Sequence, residues 1–561
     1  MTLSIKVERQ VWAEICSRPQ SLSRSAYTAS ERCLAMSSQL DLVETTEAAP
    51  ARRGRRRRGG GDKAGPELFP QKPFKQPRHI YKPVEAVSAD ELESIHEASM
   101  RVLEDIGIDF LHEEAKGILK AAGADVTPGS DRVRMDRAMV EELVGKTPEQ
   151  FAVHARNPAH NLTLGGDHIA FSCVASAPNA VDREGGRRPG NQTDYRNFLK
   201  LAQFFNIIHC VMGYPVEPVD IHASVRHLDC VSDMIRLMDK VFHIYSLGKE
   251  RNRDGLEMTR IAMGLSEEEF RKTPSVITII NSSSPLRLDT PMLQGLIEMA
   301  RAGQVSVLTP FTLAGAMAPV TVAGALTLQN AEALAGIAFT QMVNPGAPMV
   351  YGGFTSNVDM KSGAPAFGTP EYIKAALVSG QLARRYGLPF RTSGVCAANT
   401  VDYQAALETT LSEWGAINGG GNLIKHAAGW LEGGLSAGFE KFITDIDLLQ
   451  MLAEYLTPLD VSEEALAIEA IRDVGPAGHF FGTEHTQARY KDAFYAPIVS
   501  DWRNYETWQE AGSPVAYDKA NTLYKKALEA YEAPALDPAI DEELSAFVAK
   551  RKEEGGAPTD F

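Results

Sequence analysis

Val276-Ile277-Thr278-Ile279-Ile280 is followed, after a stretch whose apolar residues fall at Leu293, Leu296, Ile297 and Ala300, by Val305-Ser306-Val307-Leu308. A short apolar run, a segment apolar at i, i+3, i+4 and i+7, and a second short run read as strand, helix, strand. The same pair recurs in both directions from this unit. Upstream lie apolar runs at 169–173, 207–212 and 241–245; downstream they lie at 349–353, 390–393 and 423–426. Eight alternations predict an α/β fold, a (β/α)8 TIM-type barrel, whose chemistry sits where the strands end.

The chain of 561 residues is longer than such a barrel needs, so extensions are expected at both ends. Residues 1–78 carry the basic run Arg52-Arg53-Gly54-Arg55-Arg56-Arg57-Arg58 and then Pro70-Gln71-Lys72-Pro73, which reads as a disordered tail. Residues 79–160 read as a helical extension, with Ser88 as the cap of its first helix and Gly107 as a stop. The barrel is assigned to 161–456 and a C-terminal helical extension to 457–561.

The net charge of −15 disfavours nucleic acid as the main partner, since a phosphate backbone wants a basic face. Six cysteines without paired spacing predict reduced thiols rather than a disulfide framework. No apolar run of eighteen residues and no secretory h-region is found, which makes the cytoplasm the expected compartment. A homo-oligomer is compatible with a barrel of this size.

The strand ends are rich in small and hydroxyl residues, such as Ser172, Ser246, Ser282, Thr309 and Ser393. Aromatic rings stand beside them at Tyr245, Phe311, Tyr351 and Phe354, with Trp430 after the eighth strand. A cluster of carboxylates and a Schiff-base lysine are both missing from these positions. Such a mouth suits a cation held by ring faces, or a large partner laid over the top. Each aromatic also has a plainer reading as core filler. His426 reads equally as a site residue or a satisfied core histidine, and His209 and His243, inside strands, read as core. No Cys/His spacing fits a metal motif. Gly419-Gly420-Gly421 precedes a strand and is a turn, and Gly165-Gly166-Asp167 reads as a hairpin turn. Neither GxGxxG after a strand nor GxxxxGK[ST] occurs, which excludes a dinucleotide fold or a P-loop.

Several segments together resemble the trimethylamine methyltransferase (MttB-type) superfamily of corrinoid-dependent methyltransferases. They are Ala314-Gly315-Ala316-Met317-Ala318-Pro319-Val320-Thr321 running into Gln329-Asn330-Ala331-Glu332, then Asn344-Pro345-Gly346-Ala347-Pro348 and Gly368-Thr369-Pro370-Glu371. Tyr386-Gly387-Leu388-Pro389, Asp402-Tyr403-Gln404-Ala405 and Gly429-Trp430-Leu431-Glu432-Gly433-Gly434 follow in the family's order. The resemblance covers roughly residues 80 to 550 and implies a (β/α)8 barrel. It also implies methyl transfer from a methylated amine to the Co(I) corrinoid of a separate partner protein, with no cofactor bound permanently. Founding members carry pyrrolysine in the loop after the seventh strand, where this chain has Cys396-Ala397-Ala398-Asn399-Thr400. Relatives without pyrrolysine are linked to quaternary amines such as glycine betaine.

A quaternary ammonium leaves as a neutral tertiary amine and needs no general acid, which suits strand ends without an acid–base pair. The residues expected to hold it are Tyr245, Asn281, Phe311, Tyr351, Phe354, His426 and Trp430. Asp402 and Gln404 are expected to orient the substrate or face the corrinoid, with helix capping as the alternative for Asp402. Arg391 or Lys425 are donors for a substrate carboxylate if they face inward. No metal ligand is predicted. The ring-rich segment Gly478-His479-Phe480-Phe481-Gly482-Thr483-Glu484-His485-Thr486 is expected to fold back over the mouth. Three alternatives stay open at this level: trimethylamine as donor, a zinc-activated donor, and a non-catalytic sensor of a methylated osmolyte.

Overall fold

The computed structural model of the chain describes residues 69–559. Its centre is an eight-stranded parallel sheet whose strands, in chain order, are β1 (Ala170–Phe171), β2 (Cys210–Val211), β3 (Val241–His243) and β4 (Val276–Ile280). They continue as β5 (Val305–Leu308), β6 (Met349–Gly352), β7 (Phe390–Ser393) and β8 (Leu423–Lys425). Each pairs in parallel with its neighbour, as in Ile277↔Val305 and Thr392↔Ile424. β8 pairs with β1, and the parallel bridge Ser172↔Cys210 joins β1 to β2 and closes the barrel. All eight expected strands are present.

A main helix follows each strand: α1 (Gln192–Phe204), α2 (Arg226–Leu237), α3 (Lys249–Met263, with the short helix Glu267–Lys272 after it), α4 (Thr290–Arg301), α5 (Val322–Val343), α6 (Pro370–Arg385), α7 (Tyr403–Asn418) and α8 (Phe439–Tyr455). Side-chain caps open most of them, with Asn191, Asp289, Thr321, Thr369 and Asp402 each accepting a first-turn N–H. α5 is long and apolar enough to cross a membrane by length and composition alone, but most of it is buried inside the protein. It packs between the barrel and the N-terminal helices Ala89–Arg101 and Arg137–Val144, so it is apolar on every side.

The extension before the barrel is not purely helical. Strands Ile108–Phe110, Asp125–Val126 and Arg132–Arg134 form a small sheet that β-pairs with Arg287–Leu288 in the β4–α4 connection. The hairpin of Gln150–Val153 and Leu162–Gly165 also lies upstream, so Gly165-Gly166 turns from that hairpin into β1 rather than joining a hairpin of its own. The stretch from Phe69 to residue 78, assigned to the tail on sequence, is docked on the body. Phe69 is buried against Phe204 and Phe205, and Gln76 and His79 bond to the backbone at the closed end of the barrel. The basic run at 52–58 lies outside the described residues.

After α8 the chain divides in two. Helix Ala516–Ala530 packs on α8 and α1, and helix Pro538–Glu553 on α2 and α3, where Arg551 and His227 both reach Asp254 at 2.7 and 2.8 Å. The stretch between α8 and these helices keeps its bonds to itself around 478–486: Thr483 caps the helix Glu484–Arg489, and Gln487 donates to the Phe481 carbonyl at 2.6 Å. Phe481 is 80% exposed. This segment does not fold over the mouth, because none of its described bonds or ring contacts reaches a strand end.

Candidate functional site

Strand alternation decides which side chains enter the lumen. Val241, Ile277, Ile279, Val305, Val307, Val350 and Leu423 pack together inside the barrel. Phe242 and Ile424 lie in the shell outside, as do Ile280, Leu308, Tyr351 and Phe390. The same parity carries His243, Asn281, Thr309, Gly352, Arg391, Ser393 and Lys425 to the inner face at the carboxyl ends of the strands. Gly352 is needed there, because a Cβ would collide with the Thr309 hydroxyl and come within 2.6 Å of the Leu308 carbonyl oxygen. His243 accepts the Ile279 N–H through Nε2 at 3.3 Å, which leaves its Nδ1 without a partner. His209, by contrast, has both nitrogens engaged by backbone, at Phe171 and Lys75, and is a satisfied core residue.

Four of the expected rings meet at the mouth. Phe354, two residues past β6, lies 5.1 Å from Phe311 and 5.7 Å from His426 between ring centroids, and His426 lies 4.0 Å from Trp430. Phe367 stacks on Phe354 at 5.6 Å and meets Trp430 edge-on at 6.3 Å; nothing in the sequence had marked it. His426 sits at φ +64°, and the next N–H, of Ala427, donates to the Ser172 carbonyl at 2.8 Å, so the β8-to-β1 junction fixes the turn. Burial, then the charges of Lys425 and Arg391, push the His426 imidazole well below its usual value, so it is neutral. Neither His426 Nδ1 nor Trp430 Nε1 has a hydrogen-bond partner among the described residues.

The other predicted residues stand outside this ring cluster. Tyr351 takes the opposite parity. Its hydroxyl donates to Asn330 at 3.0 Å and accepts from Gln329 at 3.3 Å, both on α5, so it holds a helix to the barrel and does not line the site. Tyr245, just past β3, is half-buried, its ring edge-on to lumen-facing His243 at 4.9 Å and to Tyr214 at 4.3 Å, its hydroxyl 2.8 Å from Ser176 and donating to Glu217 at 3.3 Å. Glu217 lies in the loop after β2, and Arg226 approaches it at 3.5 Å. Burial raises the Glu217 carboxyl above its usual range. Asn281 stands at the end of β4, half-buried. Asp402 caps α7 through Gln404 and Ala405 N–H groups, and exposed Gln404 donates to Glu408 at 2.8 Å. Both cap bonds fall on Asp402 Oδ1, so Asp402 takes its capping role, and Gln404 lies exposed on the first turn of α7.

Glu408 in turn accepts the N–H groups of Ala397 and Ala398, while the Cys396 thiol donates to the Trp430 carbonyl at 3.0 Å. The loop after β7 is thereby tied to the loop after β8. The loop after β4 is held by Glu332 of α5, whose carboxylate takes Ser282, Ser284 and the Leu286 N–H. Beneath Trp430, Asp445 of α8 accepts the Gly429 N–H at 2.8 Å and pairs with buried Lys441.

Close to that pair, on α7, Glu413 is wholly buried with neither oxygen hydrogen-bonded. It fits only because Gly394 has no Cβ, which would strike the carboxylate. Burial, then the Asp445 charge, raise the Glu413 carboxyl well above its usual 4.5. An acid whose folded value is raised contributes most to stability below its unfolded value, and that contribution is lost as pH climbs from there. Glu413→Gln removes the loss. Thermal melts of variant and parent therefore diverge in the variant's favour as pH rises above about 4.5, the unfolded-state value. A difference that stays flat with pH contradicts this reading.

The trimethylamine methyltransferase (MTTB) family model matches residues 52–556. Glycine betaine methyltransferase of Desulfitobacterium hafniense (strain Y51) is 38% identical over 471 residues, which are 84% of this chain and 98% of that protein. Trimethylamine methyltransferase MttB of Desulfitobacterium hafniense (strain DSM 10664 / DCB-2) is 29% identical over 476 residues, 84% of this chain and 94% of its own. A crystal structure of the Methanosarcina barkeri monomethylamine methyltransferase aligns with 82% of this chain and 97% of its own at a TM-score of 0.46 and 10% identity.

Proposed function

The chain belongs to the trimethylamine methyltransferase family, and from that premise we propose that it moves a methyl group from a quaternary amine of the glycine betaine kind to the Co(I) corrinoid of a separate partner protein. The observation that carries the choice of donor is the ring cluster of Phe311, Phe354, His426 and Trp430 at the ends of β5, β6 and β8. The corrinoid supplies a strong cobalt nucleophile; the protein has to present one N-methyl group to it in line.

Methyl departure from a quaternary ammonium yields a neutral amine, so the site has no proton to deliver. The residues at the mouth agree with that requirement. His426 is neutral and buried, Glu332 is engaged by the serines of the β4 loop, and Glu217 by Tyr245 and Arg226. What remains for the chain is orientation, exclusion of water and modest attraction for the cation. Holding donor and acceptor in a near-attack geometry supplies on the order of 7–11 kcal/mol of the barrier. Each ring face adds about 0.5–2 kcal/mol of cation–π attraction. A full aromatic cage would be counterproductive, because the positive charge leaves the amine as the methyl moves and a site that grips the cation hardest favours the ground state. An open rim of rings is therefore the arrangement that chemistry favours.

The test is an anaerobic absorbance assay in which free cob(I)alamin is incubated with the protein and a panel of quaternary amines, trimethylamine included. Methylation of the corrinoid with a quaternary amine and not with trimethylamine is the expected result. Turnover of trimethylamine alone would overturn the choice of donor.

A further inference from the structure

Arg391 and Lys425 stand on the lumen faces of neighbouring strands β7 and β8, 2% and 7% exposed, and neither pairs with a carboxylate among the described residues. The Arg391 guanidinium lies 5.0 Å over the Phe354 ring, and its Nε and Nη1 have no hydrogen-bond partner among the described residues. The ionisable groups that face it besides Lys425 are the Tyr372 phenol and the His426 imidazole, while Lys425 faces Arg391, the Cys173 thiol and the imidazoles of His243 and His426. Ser393 is opposite Lys425 in the parallel register, and its hydroxyl is also buried and unpartnered. Three donors with no acceptor thus converge on one sector of the lumen.

Buried charges in folded proteins are paired or neutralised, because leaving one alone costs several kcal/mol. Burial lowers Arg391 to about 10, so the guanidinium stays charged at neutral pH. Burial and then Arg391 push the Lys425 ammonium well below its usual value, and a bound anion offsets both effects. This sector is continuous with the ring cluster: Phe354 carries Arg391 on its ring and touches Phe311 and His426 within the cluster. A bare cation brought to those rings would be repelled by Arg391. A cation that carries its own anion would not.

We propose that Arg391, Ser393 and Lys425 form an anion subsite that holds the carboxylate of a zwitterionic methyl donor, with its quaternary ammonium on the adjoining rings. The inference rests on the quaternary-amine reading and adds to it the residues that select an acid-bearing donor over choline. A guanidinium and an ammonium are the groups proteins use to bind carboxylate through short charge-assisted hydrogen bonds.

Isothermal titration of the full-length protein with glycine betaine and with choline tests this, since the two share the trimethylammonium and differ in carboxylate against hydroxyl. The parent protein binds glycine betaine at least about 10-fold tighter than choline, the scale of one charge-assisted hydrogen bond. Lys425→Met and Arg391→Met each weaken glycine betaine by roughly 10- to 100-fold and leave choline unchanged or tighter, so the preference collapses. Removing a buried charge with no partner also leaves ligand-free Lys425→Met melting no lower than the parent, which keeps the test readable if Arg391→Met fails to fold. Betaine preference surviving in Lys425→Met and Ser393→Ala, or both ligands weakening together in a folded variant, overturns the subsite. Equal binding of choline and glycine betaine by the parent overturns it too while leaving methyl transfer intact. Binding of no quaternary amine overturns the functional reading itself.

Discussion

Phe354→Ala lowers kcat/KM for the methyl donor by about 10²-fold, the penalty expected when reacting groups are misplaced by about 1 Å. The ring supports the whole mouth: Phe367 stacks on it, Phe311 and His426 lean on it, and the Arg391 guanidinium lies over it. Truncation leaves a cavity among these side chains, and a buried Phe→Ala change typically costs about 3–5 kcal/mol of stability. Phe354→Leu separates shape from ring electronics. It keeps most of the volume and loses the ring face under Arg391, so its deficit shrinks to the roughly 0.5–2 kcal/mol of a cation–π contact, a few-fold to about 30-fold. Steady-state kinetics at fixed corrinoid, paired with thermal melts, give both numbers. Equal deficits in the two variants would show that the ring acts through its quadrupole alone and not as a support.

Asp445→Ala destabilises the protein by about 3–5 kcal/mol, because it strands the Lys441 ammonium in the interior without its counter-ion. Both side chains are nearly inaccessible, and once the carboxylate is gone the remaining described hydrogen bond of Lys441 is to the Thr409 hydroxyl at 2.9 Å, with the raised Glu413 carboxyl nearby but not bonded to it. Burial by itself would lower the Lys441 ammonium; the Asp445 charge beside it overrides that and holds it above its usual value. The change also reaches the mouth, since Asp445 fixes the Gly429 N–H and Trp430 follows directly. Loss of stability is therefore accompanied by loss of activity in the folded fraction. Lys441→Met combined with Asp445→Leu recovers most of the stability, as replacing a whole buried pair with apolar groups is close to neutral. Recovery is incomplete, because Gly429 keeps a buried N–H without an acceptor, worth about 1–3 kcal/mol. Chemical denaturation of the two single variants and the double variant measures the coupling. Additive losses would mean that the pair contributes nothing as a pair.

The barrel could be read from the chain because each strand is a short apolar run separated from the next by a helix with a 3.6-residue period. The orientation of the strands could not. Parallel strands buried on both faces are apolar throughout and carry no alternation to mark the inner side. In Met349-Val350-Tyr351-Gly352 nothing distinguishes the faces, so Tyr351 was expected at the site although Val350 and Gly352 face the lumen. The same ambiguity left Arg391 and Lys425 undecided, and they face inward. The rings after the strands were easier, since loop positions do not depend on parity: Phe311, Phe354, His426 and Trp430 do converge. Asp402 shows the reverse case, a polar residue in the loop after β7 whose local role as a helix cap accounts for its place. Glu413 and Glu332 were invisible because they sit on helices, where a carboxylate normally signals a solvent face.

The reaction itself is tested most directly by label transfer. Glycine betaine carrying deuterated N-methyl groups is incubated with the full-length protein and a reduced corrinoid protein, and both products are quantified by mass spectrometry. The account predicts one deuterated methyl group on the corrinoid for each dimethylglycine released, with transfer collapsing in Phe354→Ala. Dimethylglycine formed without label on the corrinoid, or betaine bound and returned intact in the presence of an active corrinoid acceptor, would contradict it.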